Sequence, residues 1–265
     1  MPPLSAMGLA PSYGAGAREV EVAYERGVRF FFWGALRLPS FGAGIRRLPR
    51  DQIAIAIQTF THRGFLLGPS VDTARLRLRT DFIDILCLAF REEGIDPHVL
   101  DAARALVGRG VVRSLMVSAH DRARLVSYAN DFDALMVRYN AAHRGAEEAV
   151  FPAARAVVAY TATRWGSLVG PMRASDCYRF VLSHPKVTSC LFAPANRAEL
   201  DEALIALERG PMSADELAEA RRIGDAVRAH RKQAPPFRKR DYVTGVVRSI
   251  REHGLTENLI SRFNR

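Results

Sequence analysis

Cysteine and lysine are both scarce in this chain, with three of each. The three cysteines, Cys87, Cys177 and Cys190, are odd in number and far apart. No CxxC pair or Cys/His cluster accompanies them, which argues against a disulfide framework and against a metal site of ordinary spacing. Reduced thiols in a cytoplasmic protein are the expectation. Long apolar runs are missing too. None could span a bilayer, and Met1-Pro-Pro-Leu-Ser-Ala6 lacks the basic start and apolar core of a secretory signal. No Ser/His/Asp set can be assembled from the spacing.

The shortage of lysine makes arginine the carrier of charge. Only Lys186, Lys232 and Lys239 are lysines among 38 basic residues, and the net charge is +10. Such a balance suits an anionic partner, from a dinucleotide phosphate to a nucleic acid. Most arginines, however, are interleaved with acids, as in Arg197-Ala-Glu-Leu-Asp-Glu202, the pattern of solvated faces. No recognition motif accompanies the charge, which argues against nucleic acid and leaves a small molecule as the expected partner.

What is present is an alternation of apolar strands and amphipathic helices. Strands are expected near Gly8, and over 28–33, 53–59, 79–90, 111–118, 134–139, 156–160 and 187–192. Helices are expected between them, over 17–26, near 43–48, and over 71–79, 97–108, 121–128, 146–154, 175–183 and 197–207. Asp96 is placed to cap the helix that Pro97 begins, and Asn196 with Glu199 reads as a capping box. The run Ile83-Asp-Ile-Leu-Cys-Leu88 is continuous enough for a strand buried on both faces.

About eight such repeats in 265 residues fit a closed (β/α)8 barrel, a TIM barrel in the α/β class. An open doubly wound sheet would call for a glycine-rich phosphate turn after the first strand, and no GxGxxG is present. The barrel is expected over 1–210. A further helix, capped by Ser213 and Glu216, and a basic tail make up 211–265, with Pro235-Pro-Phe237 as a hinge. From Arg228 onward the basic residues are Arg228, Arg231, Lys232, Arg238, Lys239, Arg240, Arg248, Arg251, Arg262 and Arg265. Only Asp241, Glu252 and Glu257 oppose them. The tail reads as a lid over the barrel mouth, an anion-binding surface or a solvated extension.

Several segments, taken together and in order, resemble the aldo-keto reductase family. They are Ala23-Tyr-Glu-Arg-Gly-Val-Arg-Phe-Phe31, Leu76-Arg-Leu-Arg-Thr-Asp-Phe-Ile-Asp-Ile-Leu86, Gly108-Arg-Gly-Val-Val-Arg-Ser-Leu-Met-Val-Ser118, Tyr139-Asn140, Ala159-Tyr160 with Gly166, and Phe180-Val-Leu-Ser-His-Pro-Lys-Val187. The resemblance implies NADP(H)-dependent reduction of a small carbonyl compound. In that family a Tyr donates the proton, a Lys paired with an Asp makes it more acidic, and a His orients the carbonyl. The positions that match these four roles hold Phe32, Phe41, Phe60 and Ala89. A general acid contributes roughly 10²–10⁴-fold in rate, so the usual mechanism is not expected.

The resemblance also implies cofactor contacts. Ser118 matches the carboxamide ligand, while the Asn and Gln beside it are replaced by Ala119 and Met136. Tyr160 matches the ring that stacks on the nicotinamide, and packing of the barrel mouth is the other reading of that residue. Glu202 matches an adenine contact, and Arg164 and Arg197 lie on loops where phosphates would sit. His143 and His120, both at expected strand ends, are the candidate replacement proton carriers; solvated loop histidines are the plainer reading. His62, His184, His230 and His253 form no constellation. Three functions follow: a reductase with an atypical site, a non-catalytic ligand- or partner-binding barrel with a mouth lined by Phe32, Trp33, Phe41, Phe60 and Phe90, or a non-redox enzyme on the same barrel.

Overall fold

The computed structural model describes residues 3–11, 15–33, 38–164 and 166–233. Eight parallel strands close into a barrel in sequence order. They are β1 (Met7–Leu9), β2 (Phe30–Trp33), β3 (Ala54–Thr59), β4 (Ile83–Leu88), β5 (Val112–Ser118), β6 (Ala134–Arg138), β7 (Val157–Tyr160) and β8 (Val187–Phe192). Closure comes from β1 against β8, with Met7 opposite Cys190 and Leu9 opposite Phe192. Among the described residues nine α-helices surround or follow the strands. They are α1 (Ala17–Glu25), α2 (Pro39–Ile45), α3 (Leu67–Leu78), α4 (Pro97–Gly108), α5 (Arg122–Ser127), α6 (Ala146–Ala149), α7 (Ala174–Leu182), α8 (Arg197–Arg209) and α9 (Ala214–Gln233). None of these helices is long and apolar enough to cross a membrane.

The alternation of side chains along each strand splits the core in two. Phe30, Ala54, Ile85, Met116, Ala134, Val158 and Leu191 fill the inside of the barrel, with Phe32, Ala56, Cys87 and Met136 above them. The other face of each strand packs on the helices through residues such as Phe31, Ile55, Leu86, Val117 and Val137. β1 crosses the inside at Gly8 because nothing larger fits. A Cβ there would lie 2.4 Å from the Phe30 ring. The three cysteines are buried and free.

At the N-terminal end of the barrel, Asp84 locks three elements together. It is 2% exposed and accepts from the Ile55 amide at 2.9 Å, from Arg50 at 2.6 Å and from Arg113 at 3.3 Å. The two guanidiniums also face the Phe82 ring, 4.0 and 3.5 Å from its centre. Asp84 belongs to the family-like stretch, and its work is structural.

Most helix boundaries follow the sequence. Asp96 caps α4 by accepting from the His98 amide, and Asn196 caps α8 by accepting from the Glu199 amide. Ser213 and Glu216 close a reciprocal capping box ahead of α9. One helix is shorter than expected. The segment 146–154 is helical only over α6, since Pro152 lacks an amide to donate and restricts the residue before it. α9 is clamped to the barrel. Glu216 takes the buried Arg179, Arg221 pairs with Glu147, and Arg144 pairs with Asp225. Between these pairs Gly224 lies so close to the backbone of Ala141 that a Cβ would sit 2.2 Å from its carbonyl oxygen. The expected hinge and lid, over 234–265, lie outside the described residues.

Candidate functional site

In barrels of this kind chemistry sits where the strands end, at the C-terminal mouth. The residues that the alternation turns inward there are Phe32 on β2, Gln58 on β3, Cys87 on β4, Ser118 on β5, Arg138 on β6 and Tyr160 on β7, with Phe60 and Ala89 in the same phase just beyond β3 and β4.

The four positions that would carry reductase chemistry are apolar in space as well as in sequence. Phe32 fills the barrel and Ala89 is sealed, its amide bonded to the Thr59 carbonyl. Phe60 stands 42% exposed at the rim. Phe41 is elsewhere: with Trp33 it belongs to the layer between strands and helices, where the Trp33 ring lies on Gly42. The expected apolar mouth therefore loses Trp33 and Phe41: alternation along β2 turns Trp33 outward into the helix layer, and Phe41 lies there on α2. Its exposed part is a stack. Phe60 lies 5.7 Å from Phe90, and Phe90 lies 5.1 Å from His120 with the rings nearly parallel. Phe90 holds a left-handed backbone, φ 53°, and donates its amide to Ser118 Oγ at 3.1 Å.

The structure separates the two candidate histidines. His120 is at the rim, its Nδ1 2.9 Å from Glu92, which also accepts the His120 and Asp121 amides. Burial raises the Glu92 carboxyl, but those hydrogen bonds outweigh it and hold the group below its usual range. His143 lies in the loop after β6, its amide bonded back to the Asn140 carbonyl at 2.8 Å. Its Nδ1 is buried with no hydrogen-bond partner among the described residues. Burial, then Arg138, Arg122, Arg164 and Arg228, push its pKa down to about 4, so the ring is neutral at pH 7.

Tyr160 lies opposite Arg138 across the β6–β7 ladder. Its hydroxyl is buried without a well-formed hydrogen bond among the described residues. Burial raises the phenol, and the Arg138 cation beside it works the other way. Arg164 is buried in a tightly wound loop after β7, with left-handed backbone at Thr161 and Arg164. Glu202 is held by Arg173 and Ser175, and Arg197 by Asp201. A nicotinamide dinucleotide would thus find a ring platform in Tyr160, a polar contact in Ser118 and a cation in Arg164. Ala119 and Met136 offer its carboxamide nothing, and the outer contacts Glu202 and Arg197 are already engaged. The fit is partial. Among the described residues no group of three or more His, Cys, Asp or Glu could hold a metal ion.

Sequence reasoning missed Arg138 and Arg91. The first was legible: Ala134 and Met136 point inward, so Arg138 two residues on must do so too. The second was not. Arg91 is 1% exposed and meets the Thr61 carbonyl at 2.6 Å and His62 Nδ1 at 3.1 Å, neither of them an acid, while its Nε is buried with no partner among the described residues. Burial lowers its pKa. Nothing local in Phe90-Arg91-Glu92 announces such burial.

A closed eight-stranded barrel with this mouth has the fold of the aldo-keto reductases. The chain is similar to the solved structure of aldo-keto reductase AKR11C1 from Bacillus halodurans in its holo form, with a TM-score of 0.69 and 19% identity over 83% of this chain and 92% of that one. The apo form of that protein gives a TM-score of 0.68 and 16% identity, over 83% and 90%. No protein-family model matches the sequence, and no curated protein sequence does.

Proposed function

We propose that this protein is an aldo-keto-reductase-like oxidoreductase of atypical active site that binds NADP(H) and acts on a small carbonyl compound. The observation that carries the reading is the trio of Ser118, Arg138 and Tyr160 on adjacent inward strand ends, in a barrel similar in fold to a solved aldo-keto reductase. Tyr160 would support the nicotinamide ring, Ser118 its carboxamide, and Arg164 a phosphate. A bound dinucleotide would supply the hydride. If Tyr160 supports the ring it is screened from the substrate, so the proton falls to a loop group. His143 is the first candidate and His120 the second.

Titration of the full chain with NADPH, followed by tryptophan fluorescence and calorimetry, tests the reading. Saturation in the micromolar range, weakened by Tyr160→Ala, is the expected result. No binding of NADPH or NADH at millimolar concentration would refute it. If the cofactor binds, turnover of a panel of aldehydes and ketones should fall at least tenfold in His143→Gln. Unchanged turnover would exclude His143 as the proton carrier.

The non-catalytic reading is favoured by a different observation. With Phe32, Phe60 and Ala89 in place, the one titratable group among the described residues on the inward face of β2, β3 and β4 is the buried thiol of Cys87, which burial pushes up to about 12. On that reading NADPH binds, or another ligand does, and no carbonyl is reduced.

A further inference from the structure

Two helices, α5 and α9, one strand end and the loops after β6 and β7 bring four arginines and one histidine together. The Arg122 guanidinium packs against Gly145, where a Cβ would be 2.5 Å from its nitrogen. Arg138 comes from the inward end of β6, and Arg164 from the loop after β7. That loop is tied to the β6 loop by Asn140 Nδ2, which donates to the Thr161 carbonyl at 2.9 Å. Arg228 stands one helical turn beyond Gly224, the residue that presses α9 onto Ala141 in the same β6 loop. His143 lies in the β6 loop that Arg122 and α9 pack against, and the charges that act on its ring are those of the four arginines. Of the acids near in the chain, Glu148 is exposed, Asp121 accepts the Arg124 amide, and two more are held in ion pairs. Glu147 takes Arg221 and the Tyr139 hydroxyl, and Asp225 takes Arg144. Arg122 and Arg228 make no ion pair among the described residues.

Cations gathered in a partly dry site repel one another and raise the energy of any further positive charge. An oxyanion reverses both effects, and the planar forks of several arginines match carboxylate and phosphate oxygens in pairs. The buried Nδ1 of His143 has no hydrogen-bond partner among the described residues, and the buried hydroxyl of Tyr160, beside Arg138, makes no well-formed one there.

We propose that Arg122, Arg138, Arg164, Arg228 and His143 form a seat for the carboxylate or phosphate of a small anionic ligand, held beside the ring of Tyr160. This deepens the reading above by making the substrate an anion, and it rests on that reading only for the redox step. Occupation of the seat offsets the arginine field and returns His143 toward its ordinary basicity. Binding is therefore coupled to uptake of a proton by the imidazole. The anion would bring His143 into the protonated form that a proton carrier needs.

Calorimetry on the full chain at low salt and pH 6 tests the seat with two probes, inorganic phosphate and malonate. Saturable binding of either is expected, and the tighter probe names the source of the oxyanion. Arg122→Gln and Arg228→Gln should each weaken it about tenfold, the usual scale for one charge-assisted contact. Arg228 is exposed, so that variant keeps the fold. Arg104→Gln, which loses only its pair with Asp131, should bind as the parent does. Titrations in buffers of different ionisation enthalpy should show proton uptake that His143→Gln abolishes. Binding that fails to saturate by about 10 mM, equal weakening by Arg104→Gln, or proton uptake that survives His143→Gln would overturn the proposal. NADPH and the anion should bind together, and strict competition would assign the arginines to the dinucleotide and overturn it too. Phosphate or malonate binding without any NADPH binding would remove the cofactor reading and leave the seat standing.

Discussion

Replacing Asp84 measures how firmly the closed end of the barrel is held. The carboxylate is nearly sealed and serves one amide and two guanidiniums. In Asp84→Ala the Ile55 N–H loses its partner inside the protein, at ~1–3 kcal/mol. Arg50, 27% exposed, loses a 2.6 Å pair, which adds about 1 kcal/mol after allowance for water. Arg113 is half in solvent and adds little. The sum is ~2–4 kcal/mol. Asp84→Asn keeps an oxygen for the Ile55 amide and loses only the charge, so it should cost about half as much. Urea unfolding, followed by the fluorescence of the buried Trp33, reads both numbers as shifts in midpoint at constant slope. A loss below about 0.5 kcal/mol in Asp84→Ala, or equal losses in the two variants, would refute the assignment of Asp84 as the lock between β3, β4 and β5.

Three further outcomes are expected. Gly224→Ala drives a Cβ into the Ala141 carbonyl and should cost ~2 kcal/mol or more, with faster proteolysis at α9. Gly68→Ala, in α3 with open space around it, should instead stabilise by about 0.5–1 kcal/mol, so paired melting curves separate the two. Stability should also depend on His143. The folded ring is held near pKa 4 against an ordinary 6.5, so the unfolded chain binds the proton more readily between those values. Stability then falls as pH drops from 6.5 toward 4, and His143→Gln should flatten that slope in denaturant titrations.

The barrel was legible because its signals are local. Continuous apolar runs such as Ile83-Asp-Ile-Leu-Cys-Leu88 specify strands buried on both faces, and caps such as Asp96 and Asn196 fix helix starts within a residue. The mouth was legible only in part. Phase along a strand puts Phe32, Ser118, Arg138 and Tyr160 inside, and Arg138 was overlooked although the same rule reaches it. Phase says nothing of residues beyond strand ends. Phe41 resembled a mouth residue and sits in the helix layer. Arg122 and Arg228 are 106 positions apart in sequence and meet round His143 only because Gly145 and Gly224 let a guanidinium and a helix approach bare backbone.

The aromatic stack at the rim has a consequence for traffic. On the α9 side the mouth is walled by ion pairs and by a glycine contact without slack. On the β3–β4 side, Phe60 and Phe90 present exposed rings, with Phe65 and Leu66 exposed nearby. Among the described residues the two sides differ in character. If the proposed seat takes an anion, a molecule entering over the rings would shed water from an apolar part before its charge reached the arginines. Inorganic anions would gain nothing on that threshold, whereas an aryl or alkyl acid would gain at both ends.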